Sequence, residues 1–141
     1  MDFSDEMLNK AKARVKSDNV NFVKFDINEK WDFTKNKFDL VTCSLILEHI
    51  KDINFIFKQA NKVMKAGGIF YIGELHPFKQ YRGSKARFKT DKGTVVLDCF
   101  VHNISDFFDS AKKNNFECID IKEWFDDNSE VPRLLTMVFK K

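Results

Sequence analysis

The apolar pattern in the middle of the chain predicts a strand, a helix and a second strand in succession. Residues 38–44 form a near-continuous apolar run, which is typical of a parallel-sheet strand covered on both faces. Apolar residues then recur at helical spacing over residues 52–65, with Asp52 as the N-cap. Gly67 is the expected residue just past the helix end, and residues 69–73 form the second strand.

Weaker patterns predict elements on both sides of this unit. Ser4 begins a helix, and residues 21–26 form a short strand. Further along, Ser105 caps a helix that runs to residue 113. The remaining predictions are two strands joined by an acidic loop, and a hairpin around a turn: residues 116–124 and 133–140, and residues 87–90 paired with 94–101.

Composition restricts the class of protein. A chain of 141 residues has the length of one domain, and no run is long enough to cross a bilayer. The charged N-terminus shows no signal peptide, and three unclustered cysteines in apolar stretches indicate free core thiols in a reducing compartment. We therefore expect a cytoplasmic protein with no membrane partner. The net charge of +3 is too small to predict a nucleic-acid partner.

Five short patterns follow one another along the first half of the chain: D-x-S-x-x-M-L at residues 2–8, an Asp closing a strand at residue 26, F-D-L-V at 38–41, E-H at 48–49 and K-A-G-G at 65–68. In this order and spacing they resemble the class I S-adenosylmethionine-dependent methyltransferases of the type 11 group. The resemblance implies an α/β, Rossmann-like, doubly wound and mostly parallel sheet with an antiparallel last strand. It also implies S-adenosyl-L-methionine as cofactor.

The chain departs from that family at its N-terminus. In the family a first strand and a glycine-rich loop precede the D-x-S pattern, whereas this sequence begins at the pattern and has no G-x-G near its start. We therefore expect an N-terminally truncated domain with weak or undetectable cofactor affinity. The missing neighbour would leave strand 38–44 with an open edge, so we expect either residues 21–25 to move in beside it or a homodimer to form there.

Ligands of open α/β sheets bind outside the carboxyl ends of the parallel strands, which selects one rim of the predicted sheet. By resemblance, Asp2 accepts hydrogen bonds from the ribose hydroxyls, with Phe3 and Met7 beside the sugar and base. Asp26 then accepts the exocyclic amine of adenine, and Ile27 packs on the ring. The alternatives are an acid that only complements a helix dipole at Asp2 and a loop-capping role for Asp26.

The resemblance further places Ser44 and Leu45 beside the methionine portion and the transferring methyl group. Methyl transfer by direct displacement needs a base only when the nucleophile arrives protonated. Glu74, His76 and His49 are the candidate catalytic residues, because they leave two neighbouring strands at their carboxyl ends. For His49 the alternative is a solvated or capping residue. No metal ligand is predicted.

We expect one methyltransferase-like domain over residues 1–141, which transfers a methyl group to a small molecule. Residues 78–104 would form a substrate-side insert or lid, whose basic and aromatic residues either bind a charged substrate or simply face solvent. One rival function is a non-catalytic remnant that serves as a structural or interaction domain. The other, a nicotinamide-dependent oxidoreductase, lacks its glycine fingerprint here.

Overall fold

The structure is a computed structural model that describes residues 1–83, 87–90, 93–96 and 99–141. It divides into two compact units, Met1–Thr34 and Lys35–Lys141, which are described in turn. The expectation of a single domain over residues 1–141 stays a prediction. Among the described residues, no helix combines the length and the apolar character that a membrane crossing needs.

In the first unit, helix α1 spans Asp5–Arg14 and begins where the sequence predicts. The Ser4 hydroxyl accepts a hydrogen bond from the Met7 amide at 3.3 Å, so the N-cap is confirmed. The predicted strand over residues 21–26 is wrong. Its place is taken by an isolated parallel bridge between Asp2 and Lys24, because only the short stretch before α1 runs alongside it.

In its described residues, the second unit contains a four-stranded sheet, three helices and a separate hairpin. The sheet strands are β1 (Phe38–Ser44), β2 (Met64–Leu75), β5 (Glu117–Phe125) and β6 (Pro132–Lys140). The helices are α2 (Ile53–Val63), α3 (Pro77–Tyr81) and α4 (Ile104–Lys113), and a 3-10 turn spans Leu47–His49. The hairpin consists of β3 (Arg87–Thr90) and β4 (Gly93–Val96).

The sheet order is β1-β2-β6-β5. Strands β1 and β2 run parallel, whereas β6 is antiparallel to both of its neighbours. The α/β architecture and the antiparallel last strand are therefore confirmed. The predicted hairpin is also confirmed in β3 and β4, although its turn at residues 91 and 92 and the continuation at 97 and 98 lie outside the described residues. The predicted extension of the second strand to residue 101 is wrong, because residues 99–101 do not form a strand.

Strand β1 has the predicted bounds but not the predicted burial. Only Cys43 is buried, and Leu40, on the opposite face, is 57% exposed. The expectation of a strand covered on both faces is wrong within the described structure, since α2 and α4 cover one face of the sheet. β1 is an outer strand of the described sheet, and a homodimer along it stays a prediction.

The junction between α2 and β2 differs from the prediction. Helix α2 ends at Val63, and β2 begins immediately, so Gly67 lies inside a strand and not at a helix end. Its φ of +75° is accommodated by a bulge, and its amide donates to the Lys141 carbonyl at 2.8 Å. Pairing with the chain's last residue therefore outweighs the local helix-stop signal of the two glycines.

The predicted N-cap is correct for α2 and wrong for α4. The Asp52 carboxylate accepts from the Phe55 amide at 3.1 Å, so this cap is confirmed. Ser105 is not the cap of α4, which begins two residues earlier, after Asn103. The reason is a capping box, in which the Asp106 carboxylate accepts from the Asn103 backbone amide at 2.7 Å.

The core of the second unit is an aromatic cluster between α2 and the sheet. Phe57 of α2 is fully buried, and its ring lies 5.2 Å from that of Phe70 on β2 and 5.2 Å from that of Phe139 on β6. Phe116 closes the cluster at 5.9 Å. These edge-on contacts are favourable for aromatic rings and fix α2 on the sheet.

Alternation along β2 determines which residues face this core. Phe70 and Ile72 are fully buried, and Glu74, two residues further on the same face, is only 4% exposed. On β6 their partners Phe139, Met137 and Leu135 are also fully buried. Burial raises the pKa of the Glu74 carboxyl, which makes its ionised form costly.

None of the three cysteines forms a disulfide, as predicted, but only one of them belongs to the core. Cys43 is buried on β1, and burial together with the Glu74 charge raises the pKa of its thiol to about 12. Cys99 and Cys118 are half-buried, so the prediction of three core thiols is wrong for these two. Cys118 lies on β5, an outer strand of the described sheet.

Truncating the central ring of the aromatic cluster should strongly destabilise the protein. We expect Phe57→Ala to lower the free energy of unfolding by about 3–5 kcal/mol, because it removes contacts with three rings and leaves a cavity. Urea denaturation followed by circular dichroism measures the change. The matched control is Phe125→Ala at an exposed ring, with a change within about 0.5 kcal/mol. Equal effects of both variants would contradict the assigned core.

Glu74 should make stability depend on pH. Its pKa in the folded state lies above the 4.5 of an exposed glutamate, so the folded state binds the proton more tightly than the unfolded state. The free energy of unfolding should therefore fall as pH rises from 4.5 through the raised pKa. Urea denaturation at a series of pH values measures this change. In Glu74→Gln the free energy of unfolding should depend less on pH over this range, and the same pH dependence in the variant and the unmodified chain would contradict the role of the buried carboxyl.

Candidate functional site

In the first unit, Asp2 and Asp26 lie at the same end of two adjacent extended segments. Asp2 pairs in parallel with Lys24, and Asp26 follows two residues later. The backbone amide of Asp2 donates to the Val23 carbonyl at 3.2 Å, and the Phe25 amide donates to the Asp2 carbonyl at 3.0 Å. The structure thus places Asp26 two residues beyond the backbone partner of Asp2 on the adjacent extended segment.

Each carboxylate also has a local partner. Asp2 Oδ1 accepts from the Ser4 amide at 2.8 Å, immediately before α1. Asp26 Oδ1 accepts from the Asn28 amide at 2.9 Å and from the Asn28 side-chain nitrogen at 3.0 Å, which is an Asx turn. The loop-capping geometry weighed for Asp26 is therefore present, and it orients the carboxylate.

The apolar residues predicted beside the cofactor are largely accessible in this unit. Phe3 is 66% exposed and Met7 is 51% exposed, an unusual fraction for large apolar side chains. Ile27 is half-buried, and its carbonyl accepts from the Trp31 ring nitrogen at 3.0 Å. Acids with exposed apolar neighbours match the donor groups and flat faces of a nucleoside.

In the second unit, strand β1 ends at Ser44, and the next residue adopts an unusual backbone conformation. Leu45 has a φ of +52°, although it is not a glycine, and it is 52% exposed. Its amide donates to the Gly73 carbonyl of β2 at 2.8 Å. A branched residue in the left-handed region is strained, and such strain is concentrated at functional sites.

Glu74 of β2 is attached to the segment that follows Leu45. Its Oε1 accepts from the Ile46 amide at 3.0 Å and from the Leu47 amide at 3.1 Å. Burial raises the pKa of this carboxyl, these amides lower it, and the nearby charge of Glu48 raises it. The carboxyl therefore serves as an acceptor for the start of the 3-10 turn.

His76 follows β2 and caps helix α3. Its Nδ1 accepts from the Phe78 amide at 3.1 Å, so the proton of the neutral ring lies on Nε2. That Nε2 lies 3.0 Å from Glu123 Oε1 on β5, to which it donates. Both ring nitrogens are thus engaged, and action as a base requires release of the Phe78 amide.

His49 lies at the end of the 3-10 turn and is partly exposed. Its Nε2 is 3.7 Å from Glu48 Oε1, and the other Glu48 oxygen accepts from the Gln80 side chain at 3.3 Å. A small cleft adjoins these groups, lined by Glu48, Glu74, Leu75, Gln80, Phe100, His102 and Phe107. His102 Nε2 lies 2.7 Å from the Ile50 carbonyl, which orients its ring.

Some residues of this region were not selected from the sequence. Glu123 was missed, although the predicted strand 116–124 ends at the same rim and could have signalled it. Gln80 was missed because a glutamine in an insert carries no distinctive pattern. In the part of the chain that the structure describes, no three His, Cys, Asp or Glu side chains are grouped closely enough to hold a metal ion.

Comparison with known proteins adds a sequence match to this geometry. Residues 1–72 match the family described as a methyltransferase domain. A ubiquinone biosynthesis O-methyltransferase from Pelagibacter ubique is 36% identical over 87 residues, which is 57% of this chain and 36% of that protein. The chain therefore spans little more than a third of the length of the curated relative that it matches.

Solved structures resemble the fold over nearly the whole chain. An S-adenosylmethionine-dependent methyltransferase from Listeria monocytogenes has a TM-score of 0.83 at 18% identity, over 99% of this chain and 77% of that one. A second, from Mesorhizobium loti, has a TM-score of 0.77 at 14% identity, over 99% and 78%. An N-methyltransferase from Bradyrhizobium japonicum, bound to S-adenosyl-L-homocysteine, has a TM-score of 0.68 at 14% identity, over 99% and 63%.

These likenesses show the Rossmann-like methyltransferase fold, which agrees with the fold that the motifs implied. The sequence match carries more, because it covers 72 of 141 residues and includes each of the short patterns at residues 2–8, 26, 38–41, 48–49 and 65–68. The chain therefore belongs to the methyltransferase domain family of the type 11 group.

Proposed function

We propose that this chain carries out S-adenosyl-L-methionine-dependent methyl transfer to a small molecule. The observation that carries the proposal is the placement of Asp2 and Asp26 at the same end of adjacent parallel segments. Carboxylates there suit the donor groups of a nucleoside, namely two ribose hydroxyls and an exocyclic amine. Phe3, Met7 and Ile27 supply the apolar surface for its flat faces.

In the second unit, Ser44 and Leu45 would contact the methionine portion of the cofactor. Ser44 ends β1 and Leu45 follows it, at the carboxyl end where ligands of open α/β sheets bind. When bound, S-adenosyl-L-methionine supplies a sulfonium methyl group that a nucleophile can displace. The residues of this chain would align the acceptor with that group and exclude water, which lowers the barrier without covalent catalysis.

The predicted proton acceptors would act only on an acceptor that arrives protonated. His49 and His76 offer ring nitrogens near the carboxyl ends of β1 and β2, and Glu74 offers a buried carboxylate. Residues 78–104 stay a predicted substrate-side insert or lid. The ubiquinone biosynthesis O-methyltransferase relative supports a small-molecule acceptor, and the family membership favours this function over the non-catalytic alternative.

The cofactor assignment is tested by removing each carboxylate. We expect Asp2→Ala and Asp26→Ala each to weaken S-adenosyl-L-homocysteine binding by about 1–3 kcal/mol, since hydrogen bonds to a charged acceptor are lost. Isothermal titration calorimetry measures the affinity, and Asp18→Ala, an exposed acid of the same unit, is the control. No binding by the unmodified chain would instead favour the non-catalytic alternative.

A second test addresses the substrate side of the rim. We expect His76→Ala to reduce turnover or acceptor binding and to leave cofactor affinity within about twofold, because its contacts are with Phe78 and Glu123. Steady-state kinetics and calorimetry separate the two effects. A large loss of cofactor affinity would contradict this assignment, because it would place His76 on the cofactor side of the methyl group and not on the acceptor side.

A further inference from the structure

The segment after β1 is held from one side by two consecutive residues of β2. The Gly73 carbonyl accepts from the Leu45 amide at 2.8 Å, and the Glu74 carboxylate accepts from the next two amides, Ile46 and Leu47, at 3.0 and 3.1 Å. Three successive backbone donors are thus bound by neighbouring acceptors. This grouping, here called the β2 clamp, consists of Gly73 and Glu74.

Leu45 needs such a clamp because its backbone is strained. A non-glycine residue at a φ of +52° costs about 1–3 kcal/mol and persists only where its surroundings fix it. The side chain of Leu45 contributes little to this, because it is half exposed. The hydrogen bonds donated by its own amide and by the next two amides therefore hold its conformation.

The contacts of Glu74 are those of a supporting group. Its side chain is 4% exposed, and one oxygen is shared by two backbone amides. The other oxygen, Oε2, is buried and has no hydrogen-bond partner among the described residues. A carboxylate at this depth is costly, so its presence calls for a reason beyond apolar packing.

We propose that Glu74 is a positioning residue, which fixes Leu45 through the Ile46 and Leu47 amides and so shapes the surface that meets the methionine portion of the cofactor. This inference rests on the proposed function, which places Ser44 and Leu45 beside that portion. Charge-assisted hydrogen bonds from two amides are stronger than bonds to a neutral acceptor, so the ionised carboxylate suits this role. A proton acceptor for catalysis would need to contact the substrate, whereas the hydrogen bonds that Glu74 accepts come from the backbone of the segment after β1.

The substitution Glu74→Gln separates charge from shape. Glutamine retains one carbonyl oxygen for the two amides but places a donor where Oε2 lies, among groups that offer it no described partner. Leu45 should then lose its fixed conformation while the core packing of β2 persists. Glu74→Ala removes the acceptor altogether and is the stronger perturbation.

The first measurement needs no ligand. Amide hydrogen exchange at Ile46 and Leu47, followed by NMR, should be about tenfold faster in Glu74→Gln than in the unmodified chain, because the acceptor is weakened. Glu117→Gln, an exposed glutamate at the start of β5, is the matched control and should leave this exchange unchanged. Equal exchange in the Glu74 variants and the unmodified chain would overturn the inference.

The second measurement uses two ligands that differ in the amino-acid portion. S-adenosyl-L-homocysteine contains it, whereas 5′-methylthioadenosine lacks it and depends on the nucleoside contacts alone. We expect Glu74→Gln to weaken the former about tenfold and to leave the latter within about twofold, because only the former meets Leu45. Calorimetry measures both affinities, and thermal denaturation verifies that the variant is folded.

The outcomes distinguish this inference from the proposed function. Equal weakening of both ligands in a folded variant overturns the positioning role, because a general loosening of the fold would then explain the result. Retention of both affinities overturns it as well. No binding of either ligand by the unmodified chain overturns the proposed function and the cofactor part of the inference, whereas the exchange measurement still decides whether Glu74 holds the Leu45 segment.

Discussion

Side-chain alternation along β2 is the constraint on which the second unit depends. The strand buries Phe70 and Ile72 under α2, and with a period of two it must also bury Glu74. A slip of one residue would expose the aromatic core, so the register is fixed by apolar packing. The buried carboxylate then requires donors, and the Ile46 and Leu47 amides supply them.

Local signals predicted the elements well where tertiary pairing agreed with them. The bounds of β1 and the caps at Ser4 and Asp52 follow from short-range patterns that the structure retains. The strand prediction for residues 21–26 was wrong because it rested on the apolar pattern alone, whereas a strand also needs a partner to pair with. The prediction that Gly67 follows a helix end was wrong because a partner was present: its amide donates to the carbonyl of Lys141, which is far away in the sequence.

The candidate site was predictable as a set of positions but not as a set of contacts. The rule for carboxyl ends of parallel strands selected Leu45 and Glu74, because residue order and strand direction determine which ends meet. It could not show that Glu74 binds amides 27 and 28 residues away, or that Leu45 has a positive φ. Such contacts depend on side-chain depth and on loop geometry, which sequence patterns do not specify.

The end of β2 joins three parts of the rim through alternate residues. Glu74 holds the segment after β1, and His76, two residues later, donates to Glu123 of β5 while it caps α3. Buried acids and histidines at a strand end suggest catalysis by residue type alone, yet here Glu74 Oε1 and both ring nitrogens of His76 bind protein groups. A base must keep a lone pair for the substrate. The hydrogen-bond partner of each atom, and not the residue type, therefore distinguishes a positioning residue from a catalytic base at this rim.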